Sequence, residues 1–165
     1  MLVSINKPSA FKKMNHVKHK FLILTGFIML FALCSFVKKP SNKHALTINV
    51  YNLKNNVGAI QFTLYNKEGS IPDEHFRNYH LQLTSKIINN SSSVTFENLN
   101  EGDYSINILH DENEDGKIEK GFILPIEGIG FSNLSSINPL NRPSFNKTKF
   151  ELKKDTSIEV SIIYM

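Results

Sequence analysis

Cysteine, alanine and acidic residues are each scarce in some part of this 165-residue sequence, and each scarcity excludes a class of structure. The single cysteine, Cys34, lies near the N-terminus, so the rest of the chain can form neither a disulfide nor a thiolate metal site. After residue 44 the chain has two alanines and no long stretch of helical periodicity, so the helices that connect parallel strands are missing. A parallel α/β sheet is therefore excluded.

Acidic residues are absent from residues 1–44, whereas eight of the nineteen Lys and Arg residues lie there. The formal net charge of +4 is therefore the sum of two unlike parts. Residues 1–44 carry +8, and residues 45–165 carry −4, from eleven basic and fifteen acidic residues. This acidic body lacks the basic surface that nucleic-acid binding requires. We therefore expect no nucleic-acid partner. Any charged partner is expected to be a cation or a basic surface.

The leader contains an apolar run at residues 21–37, preceded by five lysines, which is the order of charge and hydrophobicity in a secretory signal. Residues 1–37 are therefore interpreted as a signal peptide or an N-terminal membrane anchor. Small residues near the end of the run favour cleavage, and acylation of Cys34 is a third hypothesis although Leu33 departs from the lipoprotein pattern.

The placement of the lysines predicts which compartment the body occupies. More of them precede the apolar run than follow it, which keeps the N-terminus in the cytoplasm. Residues 38–44 then form a linker, and the domain at 45–165 is exported to the periplasm, the outer envelope or the exterior. Membrane contact is expected through residues 21–37 alone, if they are retained.

The body shows the two-residue alternation of apolar and polar side chains that predicts strands with one buried face. It recurs in seven segments, near residues 46–51, 60–65, 81–83, 94–96, 104–108, 150–152 and 158–162. Turn-rich stretches separate these segments. The pattern predicts an all-β fold, an antiparallel two-sheet β-sandwich of about seven strands, with a small barrel as the alternative.

The longest predicted connection runs from His110 to about Leu140 and opens with the acidic stretch 111–119. Its spacing matches the first nine positions of a calcium-binding loop, but Phe122 stands where a bidentate glutamate is required, so Glu127 is the nearest replacement. The predicted calcium ligands are Asp111, Asn113, Asp115, Lys117 (by its carbonyl), Glu119 and Glu127. The alternative is a turn whose side chains cap their own backbone without any cofactor.

Catalytic motifs are weak in this sequence, so we predict no enzymatic activity. His110, Asp111 and two later serines, Ser132 and Ser135, are triad residue types, but no nucleophile elbow places them, and neighbours on a strand point to opposite faces. The histidines of the body show no zinc-ligand spacing and are expected at surfaces or edges.

The glycines of the long connection do not form a phosphate-binding loop. Gly128 and Gly130 lack the third glycine and the flanking strand and helix of a dinucleotide site. We expect them instead to permit a tight turn while Phe122, Ile126 and Phe131 pack over the end of the sandwich.

Two segments carry a family resemblance. Val-Thr-Phe-Glu-Asn-Leu-Asn-Glu-Gly-Asp-Tyr-Ser-Ile at 94–106 is similar to a hairpin of transthyretin-like domains, in which a glycine makes the turn. His-Asp-Glu-Asn at 110–113 and Pro-Ile-Glu-Gly-Ile-Gly-Phe-Ser-Asn at 125–133 resemble an exported bacterial family known as domain of unknown function 2141. The resemblance implies a secreted or envelope-associated sandwich, transthyretin-like or immunoglobulin-like, without established catalytic residues or ligand.

These observations lead to three functional hypotheses. The preferred one is a non-catalytic domain of the cell envelope that binds an unknown protein or glycan partner through the 110–140 loop and a sheet edge. The second is a calcium-stabilised structural module of the envelope. The third is an unrecognised carbohydrate-active enzyme, which would need Glu127, Asp111 and His110 in one pocket.

Overall fold

The computed structural model describes residues 42–119 and 126–165, and within them it has eight strands and one short helix. The predicted signal segment, Cys34 and Phe122 lie outside the described residues. The elements are β1 (Lys43–Val50), β2 (Ala59–Tyr65), β3 (Leu81–Lys86), β4 (Ser92–Asn100), β5 (Gly102–Asp111), β6 (Gly128–Phe131), α1 (Phe145–Thr148), β7 (Phe150–Leu152) and β8 (Thr156–Glu159). In the part of the chain that the structure describes, no helix is long and apolar enough to cross a membrane.

The strands form two sheets, which confirms the all-β prediction. One sheet has the order β4-β1-β8, and the other has the order β3-β2-β5-β6 with β7 also pairing with β5. Every pair between the described strands is antiparallel except β1 with β8, which is parallel. This parallel pair arises because the turn after β7 carries the chain across to the other sheet at the end where β1 begins.

Strands β2 and β5 are buried on both faces, which corrects the expectation of one buried face per strand. Their inner faces join β1 and β4 in the main core, which includes Leu46, Ile48, Ile60, Phe62, Phe96, Ile106 and Ile108. Their outer faces lie under the connecting segments in a second cluster of Tyr65, Ile71, Phe76, Leu109, Ile129, Phe131 and Phe145. The connections therefore form a third layer over one sheet.

The long connection after β5 contains a strand, so its interpretation as one loop was wrong. β6 pairs with β5 through Asn107↔Phe131 and His110↔Gly128, and all four of its residues are buried. Gly128 serves close packing and not a tight turn, since a Cβ there would lie 2.3 Å from the Tyr164 ring. Phe131 is buried as expected, whereas Ile126 is exposed.

The C-terminal segment closes one side of the sandwich. The Val160 amide donates to Asn49 O in the three-stranded sheet, and Ile163 pairs with Ile129 of β6 in the other sheet. The strand predicted near residues 158–162 therefore ends early, because the chain leaves one sheet for the other after Glu159. Residues 160–164 thus connect the two sheets directly.

The strands run between two poles of the sandwich. The chain enters β1 at one pole, where Lys43 pairs with Asn100, and β1 ends at the other, where Val50 pairs with Ser92. β5 also ends at this second pole, since Asp111 pairs with Ala59. We call it the loop pole because it carries the β1–β2 loop (51–58), the β3–β4 turn (87–91) and the acidic loop (111–119).

Candidate functional site

The acidic loop is held in shape by its own side chains. The buried Asp111 carboxylate accepts hydrogen bonds from the Asp115 amide (3.1 Å) and the Gly116 amide (2.8 Å). Asn113 Oδ1 accepts from the Asp115 amide at 3.0 Å, and Asp115 Oδ1 accepts from the Lys117 amide at 2.9 Å. This is the self-capping geometry of the turn interpretation, in which short polar side chains satisfy nearby backbone donors.

Glu127 joins the two ends of the acidic loop. Its side chain is 2% exposed, and its two carboxylate oxygens accept from the Glu112 amide (3.0 Å) and the Glu119 amide (3.1 Å). Hydrogen bonds from backbone N–H groups compensate a buried carboxylate for the water it has lost. The structure thus brings Glu127 to the predicted loop, where it accepts backbone hydrogen bonds.

The six predicted calcium ligands fall into two groups. Asp111 and Glu127 are buried, and the other four, Asn113, Asp115, Lys117 and Glu119, are exposed. In residues 42–119 and 126–165 no three His, Cys, Asp or Glu side chains come together as a metal site would require. Calcium binding stays a prediction, and the loop geometry on its own accounts for each hydrogen bond described above.

Glu112 links the acidic loop to the β1–β2 loop. Its carboxylate forms an ion pair with Lys54 Nζ and accepts from Asn55 Nδ2 at 3.1 Å. Burial alone would raise the pKa of Glu112, but the hydrogen bonds from Lys54 and Asn55 and the charge of Lys54 together lower it below the usual value. The charged form is therefore favoured, and the two loops stay joined at neutral pH.

Asparagines connect the β1–β2 loop to the β3–β4 turn. The Asn90 amide donates to Asn56 Oδ1 at 2.7 Å, and Asn90 Nδ2 donates to Leu53 O at 2.6 Å. The Leu53 amide returns a bond to Asn90 O at 3.0 Å. Asn90 has a positive φ of 56°, which asparagine tolerates better than most residues. These contacts were not predicted from the sequence. The paired asparagines at 55–56 and 89–90 are the feature that could have indicated them.

His110 is fully buried, which corrects its expected surface position. Its Nε2 lies 2.9 Å from Val57 O and its Nδ1 lies 2.7 Å from the Tyr164 hydroxyl. A carbonyl can only accept, so Nε2 carries a proton, and in the neutral ring Nδ1 accepts from Tyr164. The Tyr164 oxygen also accepts from the Lys54 amide at 3.2 Å. The histidine thereby fastens the C-terminal segment to the loop pole.

Ser132 and His110, two residues of the hypothetical hydrolase triad, have separate hydrogen-bond partners. Ser132 Oγ donates to Thr148 O at 2.6 Å and accepts from the Ile106 amide at 3.0 Å, whereas His110 contacts Val57 and Tyr164. His110 pairs with Ile60 of the inner core, and Asp111, the next residue on β5, turns into the acidic loop. Ser132 and His110 are thus both engaged in structural hydrogen bonds.

Comparison with known proteins gives one match. The model of a family described as uncharacterised protein conserved in bacteria, DUF2141, matches residues 48–159. This range runs from the middle of β1 to the end of β8 and includes the acidic loop and Glu127. No curated protein and no solved structure matches. The chain therefore belongs to the DUF2141 family, a bacterial family whose members are uncharacterised.

Proposed function

We propose that this chain is an exported, non-catalytic domain of the bacterial cell envelope that binds a protein or glycan partner through its loop pole. The observation that carries the proposal is the joining of three loops by side-chain hydrogen bonds, with Asn90 on one side of the β1–β2 loop and Glu112 on the other. Loops fixed on a rigid scaffold are the usual place for binding residues, and their preorganisation reduces the entropy lost on binding.

Several further features support this proposal. The charge order of the leader favours export, since five lysines precede the apolar run 21–37. The acidic loop extends exposed carboxylates, such as Glu114, from a loop that buried carboxylates hold in place. The loop pole lies at the end of the sandwich opposite the point where the chain enters β1.

Site-specific photo-cross-linking in the bacterium that makes the chain tests the proposal. A photoreactive phenylalanine at Glu114, on the acidic loop, is expected to give a discrete adduct in the envelope fraction. The matched control carries the same group at Lys154, an exposed residue at the opposite pole, and is expected to give none. Adducts from Lys154 alone, or recovery of the chain in the cytoplasm, would contradict the proposal.

A calcium-stabilised envelope module is the second candidate, because Asp111, Asn113 and Asp115 have the spacing of the first ligands of a calcium loop. The structure also brings Glu127 to this loop, through the Glu112 and Glu119 amides. Extracellular calcium modules bind with dissociation constants of roughly 0.1–1 mM. We therefore expect about 2 mM calcium to raise the unfolding midpoint of the full chain by about 5 °C over excess chelator. Asp115→Ala should abolish this rise and Glu97→Ala, on β4, should retain it. An unfolding midpoint of the unsubstituted chain that calcium does not change would exclude this candidate.

A further inference from the structure

A cleft of about 370 Å³ lies beside the β3–β4 turn at the loop pole, separate from the acidic loop. It is lined by Asn49, Tyr51, Ser85, Lys86, Ile88, Ser91, Ser92 and Ser93. Tyr51 is 47% exposed and Ile88 is 69% exposed, so two apolar surfaces face solvent within a polar lining. Among the residues of 42–119 and 126–165, no carboxylate lines the cleft.

Three of the four serine hydroxyls of this cleft, those of Ser91, Ser92 and Ser93, have already donated their hydrogens. Ser91 Oγ donates to Asn89 O at 3.3 Å, and Ser92 Oγ donates to Lys86 O at 3.1 Å. Ser93 Oγ lies 3.1 Å from Ile48 O and 2.9 Å from Asn49 Oδ1, both of which accept. A hydroxyl carries one hydrogen and two lone pairs, so these oxygens retain acceptor capacity only. A complementary ligand must therefore bring several donors.

The walls of the cleft are fixed before any ligand arrives. The Ile88 amide donates to Ser91 O at 2.9 Å, and the Ser91 amide donates to Ile88 O at 3.0 Å, so the turn is closed by a reciprocal pair. Asn90 then ties this turn to Leu53 and Asn56, as described above. A rigid wall loses little conformational entropy on binding, which favours recognition of a small or flexible ligand.

From these features we infer that the cleft binds a neutral saccharide, an inference that rests on the proposed function and specifies the glycan partner. Sugar hydroxyls supply the donors that the serine oxygens require, and the C–H face of a sugar ring packs against Tyr51 and Ile88. Lys86 donates to the remaining sugar oxygens. The acidic loop on the same pole gives a negative potential that disfavours anionic sugars. A peptide strand fits less well, because it would need apolar pockets for its alternate side chains.

Titration of the full chain with cellotetraose and chitotetraose tests this inference. We expect at least one of them to bind with a dissociation constant below about 1 mM. Tyr51→Ala should weaken that binding roughly tenfold, because it removes the ring against which the sugar packs. Tyr79→Ala is the matched control, since Tyr79 is 43% exposed and lies outside the cleft. It should leave binding unchanged.

Two results would overturn the saccharide site. One is the absence of binding by both sugars at about 10 mM, well above the expected dissociation constant. The other is an equal loss of affinity in the Tyr51→Ala and Tyr79→Ala proteins. The proposed function is tested separately by the cross-link at Glu114. If that adduct forms although neither sugar binds, partner binding is supported and a saccharide ligand is excluded.

Discussion

Gly58→Ala is expected to lower the free energy of unfolding by about 3 kcal/mol or more. Gly58 has a φ of +72°, where an alanine is strained, and it stands directly before β2. A Cβ at this position would lie 2.0 Å from Asp111 O and 2.6 Å from Glu112 Cα, both of them backbone atoms. Because backbone cannot rotate away as a side chain does, the end of β5 and the start of the acidic loop would have to move.

Gly69→Ala separates the two causes of this loss. Gly69 has nearly the same φ, +78°, but a Cβ there meets nothing within 4 Å. Its substitution should therefore cost only the left-handed strain, roughly 1 kcal/mol. Urea denaturation of the two variants and the unsubstituted chain measures the difference directly. Equal losses would show that Gly58 does not pack against β5 in the way described.

His110→Ala is expected to lower the free energy of unfolding by about 3 kcal/mol. The imidazole is fully buried and both of its nitrogens are hydrogen-bonded, to Val57 O and to the Tyr164 hydroxyl. Its removal leaves a cavity, and it leaves Val57 O and the Tyr164 hydroxyl without this partner. The C-terminal segment should loosen together with the loop pole, because Tyr164 contacts both.

A double-mutant cycle with Tyr164→Phe distinguishes this network from a simple cavity. Tyr164→Phe keeps the ring and deletes the hydroxyl, so on its own it should cost about 1 kcal/mol. In the double variant the two losses should fall short of additivity by roughly 0.5 kcal/mol or more, since both remove the same hydrogen bond. Strict additivity in chemical denaturation would show that His110 and Tyr164 do not act together.

The strands were predictable from the sequence where one face meets the core and the other meets solvent, as in β1. The burial of β2 on both faces was not predictable, because Gln61 and Thr63 are polar and predict that one face is exposed. Both residues are buried, and Gln61 Nε2 has no hydrogen-bond partner among the residues that the structure describes. β6 was missed for a different reason, since four residues with two glycines give no alternation that could be recognised.

The acidic loop and its association with Glu127 followed from residue types and spacing. The bonds that Glu127 makes did not, because the Glu112 and Glu119 amides are backbone groups that no sequence pattern identifies. The burial of His110 was likewise hidden, since its partners Val57 and Tyr164 are 53 and 54 residues away. Contacts at such separations depend on the sheet order, which the sequence left open.

The parallel pairing of β8 with β1 has a consequence for the order of folding. Leu46 and Thr156 are partners although nearly the whole domain separates them along the chain. Long-range pairing of this kind is slow, because the entropy of closing the loop is lost before any contact forms. One edge of β1 therefore remains open until β8 has been synthesised.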